Sequence, residues 1–210
     1  MPFTAIYTKT GERLDFYRHA DQIEELDSTA FACPFCDKPL LARAGTSRIR
    51  RHFYHRFGEC GAEWIDPEYR SESMEHIAGK IFLAQCFPGM LGKPEKAKLA
   101  TIQFEYIFVT PFGNKRIADV LLTFPGPRLC GLEMQLASIT PQKLQERTND
   151  YYASGIEPFW VFGGSADTEP NRTWSMRTQG YCYILAIDIG PGRVIRHYPN
   201  EMDVARTNAR

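Results

Sequence analysis

The 210-residue chain has no excess charge of either sign, because 25 Lys and Arg balance 25 Asp and Glu. That balance excludes the strong, uniform attraction of a basic protein for nucleic acid and leaves any DNA contact to local basic patches. No run of residues approaches the apolar length that crosses a bilayer. The opening Met1-Pro2-Phe3-Thr4-Ala5-Ile6-Tyr7 lacks the basic stretch and apolar core of a secretory leader. These absences predict a cytoplasmic chain with no membrane partner. What remains is ordinary globular composition, 43% hydrophobic, with length for one medium domain or two small ones.

Cysteine use divides in two. Cys86, Cys130 and Cys182 stand alone among apolar neighbours and read as buried free thiols. Cys33, Cys36 and Cys60 accompany His52 and His55, a grouping that favours metal over disulfides. The two-residue gap of Cys33-Pro34-Phe35-Cys36 lets both thiolates meet one ion from a tight knuckle. Five candidates, Cys33, Cys36, His52, His55 and Cys60, compete for the four places of a tetrahedral zinc site. Such an ion is expected to be structural, replacing a core that a short polar stretch has little means to build. Arg43, Arg48, Arg50, Arg51 and Arg56 surround these residues with no acid between 43 and 58. They form either a phosphate-binding patch, with Arg50 and Arg51 at its centre, or a solvated basic face. Phe53, Tyr54 and Phe57 interleave with them, either to stack bases or to fill the module's own small core.

Periodicity predicts the remaining elements. Phe3–Tyr7 and Arg13–Tyr17 flank Gly11 as a hairpin, and Asp21–Leu26 is a short helix. Strands of a small ribbon are expected within Leu40–Arg51. Ser71–Gln85 reads as a capped helix, on which Glu72, His76 and Lys80 recur at i, i+4 and i+8 along one stripe. That stripe falls roughly opposite the apolar face, so it either meets solvent or helps hold a metal and its water. Ile102–Val109 alternates as a strand. Ile117–Phe124 and Leu129–Ser138 flank a Pro/Gly turn as a second hairpin. Asp119 interrupts the first of these apolar runs, while Glu133 and Gln135 share one face of the second. A carboxylate is costly to bury without a partner, and a divalent cation is one partner that justifies two of them. Thr140-Pro141 starts a helix that Gly155 stops, placing Leu144, Arg147 and Tyr151 on one stripe. There Arg147 either neutralises a phosphate beside the carboxylates or pairs with Asp150 or Glu146. Pro158–Phe162 is a strand, Tyr181–Ile187 and Arg193–Tyr198 suggest a last hairpin, and 205–210 is expected to fray.

Asp119, a turn, then Glu133-x-Gln135 resembles the PD-(D/E)XK nuclease core, with Gln where that superfamily more often has Lys. Further motifs are similar to those of the competence protein CoiA family: Cys33-Pro34-x-Cys36, His52-Phe53-x-His55 with Cys60, and Glu72-Ser73-x-x-His76-x-x-x-Lys80. The series continues with Ala118-Asp119-Val120, Glu133-x-Gln135-x-x-Ser138, Arg147-x-x-x-Tyr151, Gly155-Ile156 and Phe159-Trp160-Val161. The likeness covers residues 30 to 165. It implies an α+β fold, with a PD-(D/E)XK nuclease-like core (αβββαβ) in residues 71–210 preceded by a zinc-ribbon-like module in 1–70. It also implies a Mg2+- or Mn2+-dependent DNA endo- or exonuclease acting in DNA uptake, recombination or processing, on DNA that is single-stranded, branched or duplex. Asp119 and Glu133 would hold the catalytic ion and Gln135 would position water or a phosphate oxygen. Glu72, His76 and Lys80 would complete the site, with Arg147 and Tyr151 beside the substrate. The competing expectations are a zinc-containing DNA-binding protein without catalysis and a zinc-stabilised protein-interaction module.

Overall fold

Gly11 turns the chain with φ of 76°, a conformation that costs glycine nothing, and its N–H bonds Tyr7 O at 2.8 Å. This closes the hairpin of β1 (Thr4–Tyr7) and β2 (Glu12–Asp15), in which Thr4 pairs with Asp15 and Tyr7 with Glu12. The computed structural model describes residues 3–43, 51–56, 60–62, 73–90 and 101–186. The chain divides into two compact units, Met1–Ile77 and Ala78–Arg210.

In the first unit, helix α1 (Ala20–Glu25) is followed by β3 (Phe31–Ala32), β4 (Pro39–Arg43) and β5 (His52–His55). The five strands form one antiparallel sheet in the order β2-β1-β3-β4-β5. The opening hairpin and the ribbon are thus parts of one sheet. That corrects the expectation of a module with little core: Phe3, Leu14, Phe31, Leu40 and Phe53 are all fully buried. Phe53 packs its ring 4.6 Å from Phe16 and 5.1 Å from Phe31, so it is a core residue and not a base-stacking one. Tyr54, next to it on the strand, is half-buried, and Phe57 lies outside the described residues.

The second unit contains most of helix α2 (Met74–Met90), then β6 (Thr101–Val109), β7 (Lys115–Thr123), β8 (Leu129–Gln135), helix α3 (Pro141–Ala153) and β9 (Ile156–Phe162). A 3-10 turn (Gly164–Ala166), helix α4 (Glu169–Gln179) and β10 (Tyr183–Ile184) complete it. Its sheet runs β10-β9-β8-β7-β6, antiparallel from β6 to β8 and parallel from β8 to β10. The fold class is therefore mixed α+β, with two sheets. Successive side chains of β9 go to opposite faces. Trp160 and Phe162 join Leu144, Ala166, Trp174 and Cys182 in one cluster. Phe159 turns to the other face and meets Phe87 of α2, ring centroids 3.8 Å apart.

Helix α3 has the expected ends: Thr140 Oγ1 accepts from Lys143 N, Pro141 opens the first turn, and Gly155 follows at φ of 71°. Helix α4 has no counterpart among the sequence expectations. It carries the same signals, a Thr168 cap, Pro170 and a left-handed Gly180, but no apolar stripe. Its buried face is Asn171, Trp174 and Ser175, and the side-chain donors of the two polar members find local acceptors, while Asn171 Oδ1 has no hydrogen-bond partner among the described residues. Asn171 Nδ2 donates to Ile139 O and Ala166 O, and Ser175 Oγ to Tyr181 O. Of the closing hairpin expected from Tyr181–Ile187 and Arg193–Tyr198, only part of the first strand falls within the described residues. Tyr183–Ile184 adds to β9 as a parallel edge strand, and residues 187–210 lie outside the described residues. All six cysteines are free; Cys130 and Cys182 are buried as expected, whereas Cys86 is only half-buried.

Candidate metal centre and candidate active site

Between β3 and β4 the chain makes a knuckle. Cys33 N bonds Lys38 O, Asp37 N bonds Cys33 O, both at 2.9 Å, and Asp37 takes φ of 59°. The turn brings Cys33 and Cys36 together with His55, at the end of β5, and with Cys60. Their ligand atoms all lie within 4.8 Å of one another. Cys33 Sγ is 3.8 Å from Cys60 Sγ, and Cys36 Sγ is 3.9 Å from His55 Nε2. Those separations are too long for a disulfide bond and match the roughly 3.5–3.8 Å edges of a tetrahedron with zinc–sulfur and zinc–nitrogen bonds. Three thiols and one imidazole are a zinc donor set, so the residues fit that ion. Burial pushes the thiols of Cys33 and Cys60 up, while at Cys36 burial is outweighed by the N–H groups of Lys38 and Gly61 together with hydrogen bonds to Cys60 and Cys33, which bring the thiol down. Burial also lowers the His55 imidazole, which favours the neutral form that ligates metal.

Strand alternation decides between the two histidines. His52 and His55 are three apart on β5 and project to opposite faces. His52 is buried beside Tyr54, ring centroids 6.2 Å apart, and is not a member of the cluster. Arg51 is half-exposed and pairs with Glu24 at 2.7 Å. Arg50 lies outside the described residues.

In the second unit the acids come together through register. β7 pairs Val120 with Leu132, so one step further along the pair Asp119 stands across from Glu133. Both are 1% exposed. Asp119 Oδ2 accepts the N–H of Met134 at 2.7 Å, so a side chain takes a bond at the point where the backbone ladder of these strands ends. Glu133 is held from helix α3. Arg147 Nη2 donates to Glu133 Oε2 at 2.6 Å, Arg147 Nη1 donates to Gln135 Oε1 at 3.1 Å, and Tyr151 OH donates to Glu133 Oε1. Gln135 Nε2 donates in turn to Ala137 O at 2.8 Å. The Arg147 guanidinium also lies 4.7 Å over the Trp160 ring. Asp150, an alternative partner read from the sequence, is occupied by Arg116 at 2.6 Å.

Burial, and then the charge of Glu133, push the Tyr151 hydroxyl well above its ordinary value, so it stays a donor. Its close approach to the sheet depends on a residue the sequence reading passed over. A Cβ at Gly131 would sit 2.5 Å from Tyr151 Cε1, so only glycine lets this ring lie on β8.

Lys80 is completely buried and does not share a solvent-facing stripe. Its ammonium donates to Glu105 Oε1 at 3.1 Å, and Glu105 is itself 2% exposed. His76 is half-buried at the start of α2, where its N–H bonds Ser73 Oγ at 3.2 Å, and Glu72 lies outside the described residues. Glu105 was missed because Phe104-Glu105-Tyr106 reads as an alternating strand with a polar outer face. The signal that could have found it is the one that found Asp119, an acid within an apolar run. The oxygen donors of Asp119 and Glu133 suit a hard divalent cation, since each carboxylate oxygen keeps lone-pair capacity beyond one hydrogen bond.

A model of the competence protein CoiA nuclease-like domain matches residues 72–188, more than half of the chain. Competence protein CoiA of Bacillus subtilis (strain 168) is 28% identical over 146 residues, which cover 70% of this chain and 35% of that protein. The chain thus spans well under half the length of that relative. Among the described residues no helix is long and apolar enough to cross a membrane.

Proposed function

The chain belongs to the competence protein CoiA family, and from that premise we propose that it is a metal-dependent nuclease that hydrolyses phosphodiester bonds in DNA. The family carries a nuclease-like domain by name. The observation that carries the reading is the placement of Asp119 and Glu133 at facing positions of β7 and β8, with Arg147 donating to the second. The order α2, β6, β7, β8, α3, β9 supports a PD-(D/E)XK-type core.

Asp119 and Glu133 would hold Mg2+ or Mn2+. When bound, such an ion offsets the negative charge that builds on the scissile phosphate. Gln135 is neutral and can only orient a water or a phosphate oxygen. Arg147 is a fixed positive charge beside Glu133, Lys80 would supply a second, and Tyr151 holds Glu133 in place. Zinc in the Cys33, Cys36, His55 and Cys60 cluster would be structural, and Arg51 and Arg50 of that unit would contact the DNA backbone. A role in DNA uptake or recombination follows from the family name.

The test is a cleavage panel over single-stranded, duplex and branched DNA with Mg2+, Mn2+ or EDTA. Wild type is expected to nick at least one substrate with a divalent ion and none in EDTA. Asp119→Asn, which keeps the bond from Met134 N, is expected to lose at least 100-fold in rate with little change in melting temperature. Full activity in that variant refutes the assignment. A second reading, a DNA-binding protein without catalysis, is favoured by one observation: both oxygens of Glu133 are already taken, by Arg147 and Tyr151. DNA binding with a steep salt slope and no cleavage under any ion would establish it.

A further inference from the structure

The pair of Glu105 and Lys80 has two features that stability alone does not explain. First, Glu105 takes φ of 51°, a left-handed conformation that is unfavourable for a glutamate in a strand. Such strain persists where the surroundings over-determine it, and it gathers at functional sites. Second, an ammonium and a carboxylate are both fully buried here. A buried pair of this kind is often matched or bettered in stability by packed apolar residues of similar volume.

Register gives the pair its place. β6 and β7 pair Phe104 with Val120 and Tyr106 with Ala118, so Glu105 stands across from Asp119. Asp119 in turn stands across from Glu133. The backbones of three acids on three adjacent strands thus lie in one row, about 5 Å apart; Glu105 at one end bonds Lys80 of α2 and Glu133 at the other bonds Arg147 of α3. Lys80 is 0% exposed and Asp119 and Glu133 are 1% exposed, whereas the Arg147 side chain is 16% exposed.

We propose that Glu105 is a positioning residue of the nuclease site, holding the Lys80 ammonium at the β6 end of the carboxylate row as the fixed positive charge that Gln135 cannot supply. This rests on the nuclease reading above. Glu105 does not touch substrate; it acts through Lys80. Its left-handed backbone sets the carboxylate where an ammonium from α2 reaches it.

The experiment compares wild type, Asp119→Asn, Glu105→Gln, Lys80→Arg and the double variant Lys80→Met with Glu105→Leu. Each is assayed for thermal melting and for kcat and KM on the best DNA substrate. A structural pair predicts that the double variant, which leaves no unpaired charge, recovers both stability and activity. The proposal expects that it melts near wild type yet loses at least 100-fold in kcat with KM within threefold. Glu105→Gln, which keeps shape and hydrogen-bonding capacity, is expected to lose at least tenfold in kcat, and Lys80→Arg to retain more activity than the double variant. Wild-type kcat in Glu105→Gln or in the double variant overturns the proposal while leaving the nuclease reading intact. A wild-type protein that cleaves nothing overturns the nuclease reading, and this assignment with it.

Discussion

The two units gather donor atoms in opposite ways. In the N-terminal unit the donors are soft, three thiols and one imidazole, and come from a knuckle, a strand end and the segment after it. No charged side chain belongs to the cluster, so a cation is what would satisfy it. In the C-terminal unit the donors are hard carboxylates inside buried strands, and side chains already neutralise part of their charge. The first arrangement suits an ion that holds a fold together; the second suits one that is exchanged or joined by substrate. A cluster with no internal cation depends on its metal, whereas a row with built-in cations keeps its shape without one.

Metal removal sharpens that contrast most. Chelation, or Cys36→Ser, is expected to unfold the N-terminal unit at 25 °C and leave the C-terminal unit folded. Structural zinc contributes on the order of 10 kcal/mol, comparable to the whole stability of a small domain. Hydrogen exchange with and without chelator reads the two units separately. His55→Ala should lower the metal content, whereas His52→Ala should not, because it lies on the other face of β5. Equal protection of both units after metal loss would break the comparison.

Next in size is Glu133→Leu. It leaves Arg147 and Tyr151 facing an apolar group in the interior, at a cost of about 3–5 kcal/mol. Urea titration should locate that loss in the C-terminal unit alone. Loss of under 1 kcal/mol would mean that Arg147 finds another partner and the row is not preorganised.

A smaller effect comes from Cys130, whose thiol burial pushes from 9.0 up to about 12. The folded state therefore holds this proton where the unfolded state has released it. Stability is complete below pH 9 and falls as pH rises from 9 towards 12, by about 1.4 kcal/mol per pH unit. Cys130→Ala should flatten that slope in urea midpoints taken from pH 8 to 10. The smallest change is Thr140→Ala, which removes the cap on Lys143 N and should cost about 1 kcal/mol.

Short-range chemistry was legible in the chain. The Cys33-x-x-Cys36 knuckle, the Thr140-Pro141 start of α3 and the Gly155 stop depend only on neighbouring residues, and each is where its local pattern places it. Helix α4 was not legible because it buries polar residues, Asn171 and Ser175, where a pattern search expects apolar ones. Lys80 was read on a stripe shared with Glu72 and His76, away from the apolar face. Its burial comes from an acid 25 positions later, which makes the interior accept a charge.

By itself, the sequence determined the kinds of donor and their local spacing, because a knuckle, a cap and an alternating strand are set within a few residues. Which donors meet was decided by tertiary structure. The faces of β5 chose His55 over His52, and the registers of β6, β7 and β8 aligned Glu105, Asp119 and Glu133. A hydrogen-bonded ladder fixes such alignment between segments distant in sequence, and a shift of one residue would send any of these side chains to the opposite face of its sheet.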